Sequence, residues 1–279
     1  MLPDGDFLDL DFSFSEGPSE KIAILLHGLE GNAQRTYMVG QASILNKKGW
    51  DACAVNLRGC SGEPNWKFES YTAGKTEDLH WVVEYVLGKN QYKEIALVGF
   101  SLGGNLLLKY LGEGRETPKE IKKGIAISTP VDLKGTLWKL AQWENWLYRS
   151  VFLKDLRKKV SHKIHQFPEQ ISEKELHKIT SLKAFDDWYT APANGFEDAF
   201  DYYQKNSSLQ FLPEIPVPVL ILNAQNDSFL PSECYPYSLA EKSKILYLET
   251  PKYGGHVGFH LTEKVYYSEK RTLEFLTTK

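Results

Sequence analysis

The chain is poor in sulfur, and none of its cysteines are paired by spacing. Its 279 residues include three cysteines, Cys53, Cys60 and Cys234, and two methionines. Cysteines that are widely spaced, odd in number and free of any C-x-x-C pair suit free thiols in a reducing compartment, so the expected location is cytoplasmic. A basic surplus is also absent. Thirty-three Lys and Arg stand against 36 Asp and Glu, for a net charge of -3, which gives no pointer to nucleic acid or to an anionic membrane. The strand-like segments hold no apolar run longer than I-A-I-L-L (22–26), far short of the ~20 residues of a membrane span. The opening M-L-P-D-G-D-F-L-D-L-D-F is acidic and lacks the basic-then-apolar layout of a signal peptide. There is no internal repeat, no low-complexity linker and no G-x-x-x-x-G-K-[ST] phosphate loop.

Hydrophobic residues make up 42% and charged residues 25%, enough apolar material for a large core. Short, nearly continuous apolar runs alternate with helical patterns. The runs are K-I-A-I-L-L-H-G (21–28), D-A-C-A-V-N-L-R-G (51–59), E-I-A-L-V-G-F (94–100), G-I-A-I-S-T-P (124–130), V-P-V-L-I-L-N-A (217–224) and K-I-L-Y-L-E (244–249). Continuous rather than alternating apolarity predicts parallel strands covered on both faces. Helices are expected over 34–47, 75–87 and 102–111, the last closed by Gly112 at a C′ position. This order implies an α/β fold with a doubly wound, mostly parallel sheet. The alternating F-L-D-L-D-F-S-F suggests an antiparallel edge strand.

One interval breaks the rhythm. From about residue 131 to 211 there is no strand-like run, yet four of the seven tryptophans lie there. Leu140, Trp143, Leu147 and Val151 follow helical spacing. The interval reads as a helical insertion above the sheet, either a lid lining an acyl pocket or a layer with its own core.

The strand E-I-A-L-V runs into G-F-S-L-G-G-N (99–105) and then into L-L-L-K-Y-L. A lone G-x-S-x-G is weak. Between a buried strand and a helix it forms a sharp turn that lifts the serine hydroxyl above the sheet edge, which marks Ser101 as a nucleophile. A serine hydroxyl needs a base in contact and an acid to orient that base. On this architecture they follow in the order serine, acid, histidine. Asp227, in Q-N-D-S-F-L-P after a strand, is preferred as the acid to Asp132, which can instead cap the insertion's first helix. His256, in K-Y-G-G-H-V-G-F-H, is preferred as the base to His260. His260 is expected just before a terminal helix starting at residue 262, where the positive helix end disfavours imidazolium. At the reference histidine value of about 6.5, activity is expected to rise as His256 loses its proton. The backbone N–H groups of Leu29, in H-G-L-E-G, and of Leu102 are placed to stabilise an oxyanion. His27 is read as holding that loop. Cys60 reads as a packed loop residue. His162, His165 and His177 with Glu169 and Glu173 read as a solvated helix face in a basic setting rather than as a metal site.

Together H-G-L-E-G, N-L-R-G-C-S-G-E-P-N (56–65), G-F-S-L-G-G-N-L-L-L-K-Y-L-G-E, F-D-D-W-Y-T-A-P (185–192), N-A-Q-N-D-S-F-L-P and G-G-H-V-G-F resemble the YheT-like branch of the α/β-hydrolase superfamily. The resemblance covers nearly the whole chain. It implies one α/β-hydrolase domain over 1–279, a triad mapping to Ser101, Asp227 and His256, and esterase or lipase activity on short- to medium-chain acyl esters without metal or organic cofactor. The implied partner is a small-molecule acyl ester, with no nucleic acid and no integral membrane segment; the sequence sets no oligomeric state. The alternative is a non-catalytic protein of the same fold that binds an acyl ligand or a partner. Two departures stand out. The family usually has proline after the acid, where this chain has Ser228, and a loosened acid loop is the expected consequence. Members usually carry several dozen residues before D-G-D-F-L-D-L-D, whereas this chain begins almost inside it, and exposed apolar surface is the expectation if a packed segment is missing.

Overall fold

A computed structural model of the protein describes residues 1–260 and 265–278. Seven strands form one sheet in the order β1-β3-β2-β4-β5-β6-β7. They are β1 (Asp9–Ser13), β2 (Lys21–Leu26), β3 (Asp51–Asn56), β4 (Glu94–Phe100), β5 (Ile121–Ile127), β6 (Val219–Leu222) and β7 (Leu246–Glu249). Only β1 runs antiparallel, against β3 at the edge. Every residue of β3 and β6 is buried, as are Ile22–Leu26 of β2 and Ile95–Phe100 of β4. The near-continuous apolar runs arise from this: side chains on both faces enter core, and each fully buried Ile, Leu or Val contributes roughly 1.5–3 kcal/mol.

Helices α1 (Thr36–Asn46), α2 (Thr76–Leu87) and α3 (Leu102–Gly112) follow β2, β3 and β4. The crossover from β5 to β6 carries α4 (Leu133–Ala141), a short 3-10 turn (Trp143–Asn145), α5 (Trp146–Gln166), α6 (Glu173–Lys178) and α7 (Leu182–Phe185). A π-helical turn (Asp186–Thr190), α8 (Ala191–Ala193), α9 (Ala199–Asn206) and a 3-10 segment (Ser208–Glu214) complete it. Then come α10 (Tyr237–Lys242) and α11 (Tyr267–Thr277). The chain winds one way from β2 to β3, then reverses from β3 across β2 to β4. The crevice at the C-terminal ends of β2 and β4 is therefore the switch point where such sheets bind ligands.

Three expectations need correction. Gly112 is not the left-handed residue after α3: it closes the helix, and the positive φ falls at Gly114 (83°). Gly112 is needed for space, since a Cβ there would lie 2.2 Å from the carbonyl oxygen of Phe211. The stripe Leu140, Trp143, Leu147 and Val151 does not lie on one helix. The extended backbone at Gln142 breaks it (ψ 154°), and Trp143, Leu147 and Val151 are exposed rather than in a core. The terminal helix starts at Tyr267, after the non-helical Val265 and Tyr266, so no continuous helix covers the expected span; the expected start at residue 262 lies outside the described residues.

The N-terminal segment is anchored through charge. Asp6, fully buried, accepts hydrogen bonds from Arg58 (2.9 Å), Asn65 (2.7 Å) and the Trp66 N–H (2.8 Å). Arg58 also pairs with Asp78 at 2.7 Å. The R-G-C-S-G stretch thus ties the start of the chain to α2.

Candidate active site

Ser101 sits between β4 and α3 in a strained conformation, φ 52° and ψ −120°. Such a residue costs about 1–3 kcal/mol and persists only where its surroundings over-determine it. Here the Ser101 N–H donates to Ile127 O at 2.8 Å, and the Gly104 N–H donates to Ser101 O at 2.9 Å. The turn also demands close backbone approach. A Cβ on Gly99 would lie 2.3 Å from Gly103 O, and one on Gly103 would lie 2.5 Å from Leu26 O. Larger residues at either place would force the turn open.

His256 bridges serine and acid. Its Nε2 lies 3.0 Å from Ser101 Oγ and its Nδ1 lies 2.8 Å from Asp227 Oδ2. The other oxygen of the Asp227 carboxylate accepts from the Phe229 N–H at 3.0 Å. A carboxylate only accepts, so Nδ1 carries the proton and the Nε2 lone pair faces the serine hydroxyl. The Phe229 ring packs 4.1 Å from the imidazole at 30° and covers its face. The loop that presents His256 is itself constrained. Gly255 and Val257 have positive φ (57° and 55°), and the Val257 N–H donates to Ser128 Oγ at 2.9 Å. His260 takes no part. It is exposed, with its ring 4.8 Å from that of Tyr266. Asp132 caps α4, accepting from the Gly135 N–H.

The loop after β2 faces Ser101 across the switch point, and a Cβ on Gly28 would lie 3.1 Å from Ser101 Cβ. His27 is wholly buried and holds this loop. Nδ1 is 2.7 Å from Gly28 O, and Nε2 accepts from the Leu57 N–H at 3.1 Å. Nε2 can accept only in the neutral ring, and burial holds the ring's pKa down to about 4. Among the described residues, neither the Leu29 nor the Leu102 N–H donates to a loop carbonyl.

Two supports escaped the sequence reading. Glu30, with φ 52°, accepts from Tyr71 OH (2.6 Å) and from Lys159 Nζ (2.8 Å), which reaches down from α5. Lys159 also lies 3.1 Å from Cys60 Sγ. That thiol is buried and pushed up to about 11, so it is no activated nucleophile. Second, the loop bearing Asp227 is gripped from above. Ser228 Oγ donates to Asn145 Oδ1 at 2.7 Å, and Asn145 Nδ2 donates to Ser228 O at 3.0 Å. The serine that replaces the family's usual proline is thus held by side-chain bonds. Nothing near Asn145 in the sequence marks it for this role.

Ser101, His256, Leu29 and Leu102 line one cavity of 380 Å³, whose walls include Leu137, Phe152 and Phe229. The helices after β5 supply its roof. Among the described residues, no group of three or more His, Cys, Asp or Glu gathers as metal ligands would.

Residues 23–261 match the α/β-hydrolase fold family. The chain belongs to that family. Among curated relatives it is 32% identical over 99% of its length to YheT of Escherichia coli (strain K12), whose name proposes an esterase, and spans 83% of that protein. It is 32% identical over 85% of its length to the mouse phospholipase ABHD3 and 28% identical over 89% to a monoacylglycerol lipase of Saccharomyces cerevisiae. It spans 57% of each of these two. Among solved structures, Est1E from Butyrivibrio proteoclasticus bound to ferulic acid matches with a TM-score of 0.63 at 19% identity, covering 99% of this chain and 98% of that one. This last likeness shows the fold. The curated relatives are named as esterases and lipases, which supports a hydrolase.

Proposed function

We propose that the protein is a serine carboxylesterase for short- to medium-chain acyl esters, working through an acyl-enzyme. The observation that carries this reading is the continuous hydrogen-bonded chain Ser101–His256–Asp227 opening on an apolar cavity. His256 Nε2 takes the proton as Ser101 Oγ attacks the ester carbonyl. The Leu29 and Leu102 N–H groups hold the resulting oxyanion, and Asp227 stabilises the imidazolium. His256 then protonates the leaving alcohol as the C–O bond breaks. Water, losing its proton to the same nitrogen, releases the acid and restores Ser101. None of these steps calls for a metal or organic cofactor. In this reading residues 131–211 form a cap on a single domain of 1–279, and its inner face shapes the acyl pocket. The three free, buried cysteines support a reducing, cytoplasmic setting.

The test is rapid mixing with a p-nitrophenyl ester. The expected result is a burst of nitrophenol equal to the enzyme concentration, with the acyl mass on the Ser101 peptide. Ester turnover that survives in Ser101→Ala would sink the assignment.

A further inference from the structure

The exterior of the helical layer is unusual where α4 gives way to α5. Trp138, Trp143, Trp146, Leu147, Tyr148 and Val151 are each half exposed or more, Trp143 at 79%. Six large apolar side chains within fourteen residues form a patch that a protein surface does not normally leave to water. Tyr148 and Val151 also line the cavity that holds Ser101 and His256, so the patch is continuous with the cavity mouth.

The charge around it is equally distinctive. Between Leu133 and Gln166 eight lysines and arginines stand against two acids, Glu144 and Asp155, in a chain whose net charge is -3. Averaging over the whole chain conceals this segment, which is why overall charge gave no pointer to an anionic surface. Some of these cations are used internally: Lys159 and Lys163 bond to loops below, and Arg149 bonds to the carbonyls that end α4. Lys139, Lys154 and Lys158 stay exposed. Along the outer face of α5, spacings of three and four residues take Leu147 to Val151, Lys154 and Lys158. That face is therefore apolar at its start and cationic beyond, with Trp146 and Tyr148 exposed to either side of Leu147. Exposed tryptophan next to lysine is the composition of a segment that lies in a lipid interface, rings among the acyl chains and ammonium groups at the phosphates.

We infer that the α4–α5 corner docks the protein on anionic phospholipid surfaces, with Trp143 and Trp146 inserted and Lys154 and Lys158 on the headgroups. Docking there points the cavity mouth at the lipid, so poorly soluble acyl esters enter without crossing water. The surface is attached peripherally, since no helix among the described residues is long and apolar enough to cross a membrane. The docking goes beyond the proposed hydrolase chemistry and is read separately from it: vesicle binding needs no ester turnover.

The experiment is co-sedimentation with vesicles of phosphatidylcholine alone and of phosphatidylcholine containing roughly 30% phosphatidylglycerol, with tryptophan emission followed in parallel. The expected result is binding to the anionic vesicles with a blue shift, weakening as salt rises from about 0.05 to 0.5 M. Trp143→Ser/Trp146→Ser should weaken binding at least about tenfold. Lys154→Glu/Lys158→Glu should remove the preference for anionic over neutral vesicles. All four positions are exposed, so melting temperature serves as the check that both variants fold. Absence of binding to anionic vesicles at low salt overturns the inference, as does undiminished binding by the tryptophan variant. A concentration-dependent dimer that the tryptophan variant abolishes, with no vesicle binding, would assign the patch to a second copy of the chain instead.

Discussion

Asn145→Ala tests whether the helical layer positions the acid loop. Asn145 is 1% exposed and makes three bonds: Nδ2 to Lys139 O and to Ser228 O, both at 3.0 Å, and Oδ1 from Ser228 Oγ at 2.7 Å. Each is worth about 1 kcal/mol net, so losing the three should cost about 2–4 kcal/mol. For a chain of this size that is a melting temperature lower by roughly 5–10 °C. Ser228→Ala removes one of these bonds and should cost about 1 kcal/mol. A double-mutant cycle should then show coupling of at least about 0.5 kcal/mol, because the two residues share a bond. The kinetic effect should fall on kcat more than on KM, since Asp227 orients His256 and does not bind substrate. Thermal denaturation and ester kinetics on the four proteins provide both readouts. Additive single effects, or an Asn145→Ala protein that melts within about 1 °C of wild type, would refute the idea that this contact fixes the loop.

Lys159→Met leaves the buried Glu30 carboxylate bonded to Tyr71 OH but without its cation, in the loop proposed to hold the oxyanion. Stability should fall by about 3–5 kcal/mol and kcat with it, while Lys159→Arg should recover part of both; equal melting temperatures for Met and wild type would contradict this. Gly112→Ala should destabilise by about 1–3 kcal/mol in urea titration, because its Cβ meets the backbone of Phe211, whereas Gly114→Ala meets no atom and should cost only the left-handed strain. Two desolvated groups, one wholly and one partly buried, should oppose each other in acid. His27, held at about 4, adds stability above its unfolded value of 6.5, and that stability is lost as pH falls toward 4. Asp186, raised to about 6 by burial, adds stability below its unfolded value of 3.8, lost as pH rises through 6. Melting curves of Asp186→Asn between pH 4 and 6.5 should therefore show a steeper acid decline than wild type, and parallel curves would contradict the assignment.

The sheet was legible because its signal is local and redundant. Each of β2 to β6 contains a run of residues buried on both faces, in β5 from Gly124 to Ile127, and the alternation in β1 announced its edge position. The serine turn was legible because G-x-S-x-G is a local pattern between a strand and a helix; Gly99 is required within the turn, by Gly103 O, although Gly103 is required by the distant Leu26 O. The choice of Asp227 over Asp132 came from chain order, and that of His256 over His260 from the helix end expected after His260; the structure brings His256 within hydrogen-bond distance of both Ser101 and Asp227. What could not be read involves partners far apart in sequence. Asn145 holds Ser228 across 83 positions and Lys159 reaches Glu30 across 129; neither leaves a periodic or compositional trace. The break at Gln142 was missed because apolar spacing carries across a bend unchanged, although the residues on its far side turn outward.

The central claim is that Ser101 is a nucleophile activated by His256. Labelling with a fluorophosphonate probe, mapped by peptide mass spectrometry, tests it most directly. The account predicts an adduct on Ser101 that is lost in His256→Ala and kept in His260→Ala. Folded protein that takes no label, or a Ser101 that labels equally well without His256, would contradict it.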